Sequence, residues 1–122
     1  MVNILVADDD PSIRHLYKLI LEREGHKVYL ANDGVEALVQ AKKHHIDVLI
    51  TDIIMPRKEG IETIVEVREM NPEIKIIAIS GGGRRGNQDF LRMAEMVGAN
   101  YSLAKPFEPH DLLKILKTCL EN

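Results

Sequence analysis

The sequence predicts an α/β fold: a doubly wound, five-stranded parallel sheet of order 2-1-3-4-5 with five helices. Three observations lead there. Short apolar, β-branched runs alternate strictly with amphipathic segments. Runs 2–7, 47–51 and 74–80 are nearly continuous in apolar character, as expected of strands covered on both faces. Capping and breaking residues fall between the two kinds of segment. Strict alternation implies a parallel sheet with helices on both sides. Right-handed crossovers leave few topologies for five such units, and 2-1-3-4-5 is the natural one.

The elements follow in order. Strand one is expected over 2–7 and ends at Asp8-Asp9. Asp10-Pro11 then supplies an N-cap and a proline at the first helical position, where the missing N–H is harmless. Ile13, Leu16, Tyr17 and Ile20 form the apolar stripe of helix one, which Gly25 closes. Strand two covers 27–31 and ends at Asn32; strand three covers 47–51 and ends at Asp52. Met55-Pro56 forces a turn that exposes Asp52. Ile61, Ile64 and Val65 mark helix three, which Asn71-Pro72 stops. Strand four covers 74–80 and ends at Ser80; Gly98 closes the following helix. Strand five covers 101–104 and ends at Lys105-Pro106, and Leu112, Leu113, Leu116, Cys119 and Leu120 give the last helix its stripe. Cys119 and Leu120 are expected in the core, and His44-His45 on the surface.

Composition narrows the function. With 122 residues, 45% hydrophobic and 29% charged, the chain reads as one globular domain, residues 1–122. Net charge is −3 and no basic run occurs, so direct nucleic-acid binding is not expected. One cysteine excludes an internal disulfide framework. No stretch approaches the roughly 18 consecutive apolar residues of a membrane span, and residues 1–7 run straight into Asp8-Asp9-Asp10 rather than forming a signal-peptide core. The expected setting is cytoplasmic.

In doubly wound sheets, ligands bind outside the carboxyl ends of the strands. Asp8, Asp9, Asp52, Ser80 and Lys105 should therefore meet on one rim. Three carboxylates that close repel one another unless a cation joins them. All-oxygen ligands favour a hard divalent ion, and Mg²⁺ suits a few carboxylates plus a substrate phosphate. A metal, an ammonium and a hydroxyl around a carboxylate are the parts that stabilise a transferring phosphoryl group. Asp52 is the candidate nucleophile, forming an acyl phosphate.

These residues, within "ILVADDDPSIR", "DVLITDIIMPRKEGIE", "IIAIS" and "GANYSLAKPF", resemble the receiver domain of bacterial two-component response regulators, including the chemotaxis receivers. The likeness covers essentially the whole chain, and its implied fold is flavodoxin-like. It implies that Asp52 accepts the phosphoryl group and binds Mg²⁺. Asp9 would bind the metal directly, Asp8 mainly through water, and the Ile54 carbonyl would complete the protein's share. Ser80 and Lys105 would contact the phosphoryl oxygens, and Lys105-Pro106 is a candidate cis bond. The implied partners are a sensor histidine kinase or phosphotransfer protein, then a downstream target or attached effector domain. Pairing of two copies through the helix 4–strand 5–helix 5 face is also in the family's range.

There are departures. Three positions before the lysine, where the family usually carries a switch aromatic, stands Ser102, with Tyr101 one place earlier. Strand side chains alternate faces, so Tyr101 does not simply substitute. Ile54 beside Asp52 is apolar and would hinder attacking water. Gly81, Gly83 and Gly86 match G-x-G-x-x-G, yet follow the fourth strand rather than the first, and the P-loop Lys-Ser/Thr is missing. Loop 81–86 is read as a mobile element gated by Ser80, with Arg84 and Arg85 facing solvent or a partner. The competing readings are a phosphorylation-independent interaction module and a flavin- or dinucleotide-binding domain; with 4% aromatic residues, flavin stacking is poorly provided for.

Overall fold

A computed structural model describes residues 1–53, 60–80, 87–105 and 107–121, the side chains of 87–91 excepted. Ten elements alternate: β1(Asn3–Ala7), α1(Pro11–Arg23), β2(Lys27–Ala31), α2(Gly34–Lys43), β3(Val48–Asp52), α3(Gly60–Met70), β4(Lys75–Ser80), α4(Asn87–Met96), β5(Tyr101–Ala104) and α5(Pro109–Glu121). The strands form one sheet of order β2-β1-β3-β4-β5, all parallel. Ile4 lies opposite Val28 on one side and Val48 on the other.

Alternation of side chains divides the core into two layers. Ile4, Val6, Val48, Ile50, Ile77 and Ile79 face α1 and α5, packing on Tyr17, Leu21, Leu112, Leu116 and Cys119. Leu5, Leu49, Ile53, Ile76 and Ala78 face the other helices, packing on Ala37, Ile64, Val67 and Ala94. A strand used on both faces cannot alternate apolar with polar, hence the continuous apolar runs.

Helix ends follow the local chemistry. Asp10 caps α1 by accepting from the Ser12 N–H at 2.9 Å. At its other end Gly25 takes φ +91°. The Gly25 N–H bonds the Glu22 carbonyl at 3.0 Å and the His26 N–H bonds that of Leu21 at 3.3 Å. This is the paired C-cap that a left-handed glycine permits. Gly98, at φ +131°, ends α4 the same way, through Gly98 to Glu95 at 3.3 Å and Ala99 to Ala94 at 2.9 Å. Asp33 caps α2 through the Glu36 N–H at 2.8 Å, while the Glu36 carboxylate accepts from the Asn32 N–H at 2.8 Å. α3 ends at Met70, before Asn71-Pro72.

Some expectations need correction. The α1 stripe turns inward on Tyr17 and Leu21, leaving Leu16 46% exposed. The helix is rotated so that its inward row runs i, i+4 rather than through residue 16. Thr63 and Val67 join Ile64 as the buried face of α3, with Val65 only half-buried. Cys119 is in the core, but Leu120 is exposed, since adjacent helical positions point about 100° apart. Strand three starts one residue later than expected, at Val48, and ends on Asp52. Asp47 lies outside it and instead accepts from the Asn3 N–H at 2.8 Å. His45 is exposed, but His44 stacks on Tyr29 with ring centroids 4.1 Å apart.

Candidate phosphoacceptor site

The carboxyl ends of β1, β3, β4 and β5 bring four expected residues together. Asp8 follows β1 and is buried to 2% exposure. Its backbone is fixed first: its N–H continues the ladder to the Ala31 carbonyl at 3.1 Å, and its carbonyl accepts from the Arg14 guanidinium at 2.7 Å. Its carboxylate is then held on both oxygens. Oδ1 accepts from the Asp10 N–H at 2.9 Å, and Oδ2 lies 3.3 Å from Lys105 Nζ. Asp52 ends β3 and is buried rather than exposed as expected, because the sheet covers it on both sides, with its Oδ2 3.4 Å from the same ammonium. Thr51 Oγ1 donates to the Asp52 carbonyl at 2.9 Å. Lys105 reaches the rim because β5 delivers it there, and its N–H bonds the Ser80 carbonyl at 2.8 Å.

Asp9 is exposed, but its carboxylate joins those of Asp8 and Asp52, one oxygen from each lying within 4.8 Å of the others. Among the described residues, the Lys105 ammonium pairs with two of these three carboxylates. Burial works to lower the Lys105 pKa and is the largest single influence. The carboxylates of Asp52 and Asp8 together outweigh it and raise the value above its ordinary level, so the lysine stays cationic. Among the described residues Lys105 is the cation paired with Asp8 and Asp52, and a divalent ion would complement the three clustered carboxylates. The donors are all oxygens, as hard cations prefer. Ser80 adds a second sign of a missing ligand. Its hydroxyl is fully buried and has no hydrogen-bond partner among the described residues. A buried hydroxyl in that state costs about 1–3 kcal/mol, and an anionic oxygen entering the rim would satisfy it.

Ile54, loop 81–86 and Pro106 lie outside the described residues. The metal contact expected of the Ile54 carbonyl, the gating expected of the loop and the cis bond expected at Lys105-Pro106 fall there. Ser102 does not face the cluster. Its hydroxyl donates to Glu95 Oε2 at 2.7 Å, tying β5 to α4.

Sequence reasoning missed three contributors. Arg14 grips the Asp8 carbonyl; a cation so early in a helix, where the dipole disfavours it, was the available signal. Thr51 was lost in an apolar run. Gly60 opens α3 directly against the end of β3. A Cβ there would overlap the Asp52 carbonyl oxygen and lie 2.6 Å from Ile53 Cα. Only glycine permits that approach.

Comparisons with known proteins show the family and the fold. The model of the response regulator receiver domain matches residues 4–117. The response regulator MprA of Mycobacterium leprae is 32% identical over 120 residues, covering 98% of this chain and 51% of that protein. Two solved structures are similar along their whole length. One is a CheY-like response regulator receiver domain protein from Methanospirillum hungatei, with TM-score 0.90, 31% identity, and coverage of 99% and 94%. The other is the chemotaxis protein CheY4 of Vibrio cholerae, with TM-score 0.87, 34% identity and 98% of both chains. The chain spans about half the length of curated relatives such as MprA. Among the described residues no helix is long and apolar enough to cross a membrane. A half-buried lysine between two strand-end aspartates, a third carboxylate beside them and a match across nearly every element lead to one assignment: the chain belongs to the response regulator receiver domain family.

Proposed function

We propose that residues 1–122 act as one receiver domain, a phosphorylation-dependent switch that accepts a phosphoryl group on Asp52 from a phosphohistidine donor. The donor is a sensor histidine kinase or a phosphotransfer protein. The observation that carries this reading is the convergence of Lys105 on Asp8 and Asp52, at 3.3 and 3.4 Å, on the rim where β4 ends in Ser80, whose buried hydroxyl has no partner among the described residues.

In the proposed reaction an Asp52 carboxylate oxygen attacks phosphorus. The P–O bond forms as the P–N bond to the donor imidazole breaks, and the departing imidazole nitrogen takes up a proton. Lys105 is already cationic and within reach, so it meets the new negative oxygens without a proton transfer. Ser80 donates its hydroxyl to another phosphoryl oxygen. Asp8, Asp9 and Asp52, with the Ile54 carbonyl from the family resemblance, would hold Mg²⁺, which when bound draws charge from the transferring group. The chain catalyses this step on itself and then serves as a signal, so it is a switch rather than a turnover enzyme. Its output is a changed affinity of the α4–β5–α5 face for a downstream protein, an attached effector domain or a second copy. The setting is the cytoplasm.

Acetyl phosphate with Mg²⁺ should add one phosphoryl group by mass, and beryllofluoride with Mg²⁺ should perturb the amide spectrum around β4 and β5. Asp52→Ala should abolish both. A wild-type chain that responds to neither reagent would favour a phosphorylation-independent interaction module; a response that survives in Asp52→Ala would place the acceptor elsewhere.

A further inference from the structure

We infer that Tyr17 is a positioning residue for phosphoryl transfer, bracing Lys105 from α1 through its stack with Phe107. The inference rests on the receiver reading above. The chain has three tyrosines, two phenylalanines and no tryptophan, so where aromatic surface is spent is informative. Tyr17 and Phe107 stack against each other, ring centroids 6.0 Å apart and planes 26° apart. Tyr17 is 4% exposed, and Phe107 comes two residues after Lys105 in the chain. Lys105, Tyr17, Phe107 and Ile20 all line one cavity of about 270 Å³.

The geometry explains why a brace is needed. On its amino side the described backbone tie of Lys105 is the bond from its N–H to the Ser80 carbonyl at 2.8 Å. β5 ends at Ala104, so no strand fixes the chain beyond. A lysine stem has four rotatable carbons and loses considerable entropy when ordered. Phe107 anchored on Tyr17 supplies a fixed point on the carboxyl side. Tyr17 is also near enough to the cluster to feel it: burial first, then the charges of Asp8 and Asp52, raise its phenol pKa, so the ring remains neutral beside the carboxylates. Arg14, one helical turn earlier on α1, holds the Asp8 carbonyl at 2.7 Å. Positions three apart share a helix face, so one face of α1 supports both the acidic loop and the lysine loop.

The test measures the rate of phosphorylation by saturating acetyl phosphate and Mg²⁺ in wild type, Tyr17→Leu and Tyr17→Phe, each also in a Lys105→Ala background. Misplacing a reacting group by a fraction of its length is costly, so Tyr17→Leu should slow the reaction about tenfold or more. Tyr17→Phe keeps the ring and should restore the wild-type rate. In Lys105→Ala, Tyr17→Leu should slow nothing further, because the residue it positions is gone. Mg²⁺ affinity should not fall, since the carboxylates keep their own ties. Phe107→Leu breaks the stack from the other side, leaves α1 intact and should reproduce the loss. Equal rates in wild type and Tyr17→Leu, or the same loss in the Lys105→Ala background, would overturn the positioning role while leaving the receiver reading standing. No phosphorylation of the wild type would overturn both.

Discussion

His26 shows how much one side chain's protonation can be set by its neighbours. Its Nδ1 accepts the Val2 N–H at 3.2 Å, a bond only the unprotonated nitrogen can make. Burial, and after it the positive chain terminus, lower the His26 pKa from 6.5 against the opposing pull of Glu24. The unfolded chain therefore binds the proton first as pH falls. Stability from this group is complete above pH 6.5 and is lost as pH drops through the folded value. Thermal melts above and well below that pH should show a steeper acid loss in wild type than in His26→Gln. Parallel pH profiles would mean that the ring contributes nothing. Cys119 behaves in the opposite direction. Burial, opposed weakly by Lys75, pushes its thiol up to about 11, and the side chain is fully buried. A thiol reagent should therefore label it only at the rate at which the fold opens. Fast labelling under native conditions would contradict its place in the core.

At the scale of elements, a few residues decide how strands and helices meet. Arg68 leaves α3 and spreads its guanidinium over four acceptors: the carbonyls of Pro72 (2.9 Å), Ile74 (2.6 Å) and Gly98 (2.8 Å), and Asn100 Oδ1 at 2.9 Å. Asn100 Oδ1 also accepts from the Ile76 N–H at 2.8 Å. One side chain thus joins the end of α3, the start of β4 and the turn into β5. Arg68→Met keeps the stem but strands those acceptors, and should destabilise by about 2 kcal/mol in denaturant unfolding. An unchanged midpoint would show that water replaces the guanidinium freely. Gly60 works at the other end of α3. Gly60→Ala must push the helix start away from the Asp52 and Ile53 backbone. It should cost about 2 kcal/mol and slow phosphorylation more than an exposed α3 substitution such as Glu66→Ala. A Gly60→Ala chain with wild-type stability and rate would show that the junction relaxes without moving Asp52.

Across the whole molecule, the site belongs to the topology rather than to any one segment. Asp8 and Lys105 lie 97 positions apart and meet at 3.3 Å. They do so because β1 and β5 belong to one parallel sheet whose strands all end on the same rim. The elements themselves were legible. Parallel strands buried on both faces announce themselves as apolar runs, and Asp10-Pro11, Gly25 and Gly98 mark helix ends by local backbone chemistry alone. The rotation of α1, by contrast, depends on what it packs against, so Leu16 and Leu21 could not be ranked from the stripe. His44 found a ring to stack on only because β2 passes beside the end of α2. The candidate site was legible as a set of residue types at strand ends. Arg14, Thr51 and Gly60 were not, because each acts through a backbone atom that sequence does not display.

Alone, then, the order of amino acids determined the alternation of elements and the acidic and basic residue types at the strand ends, since periodicity and capping are local properties, and it left few strand orders open. Only the tertiary structure decided that Asp8 turns inward while Asp9 stays exposed, that Lys105 spans two carboxylates and that Ser80's hydroxyl is sealed from water. Those facts depend on distances between groups far apart in the chain, and such distances exist only once the sheet has closed.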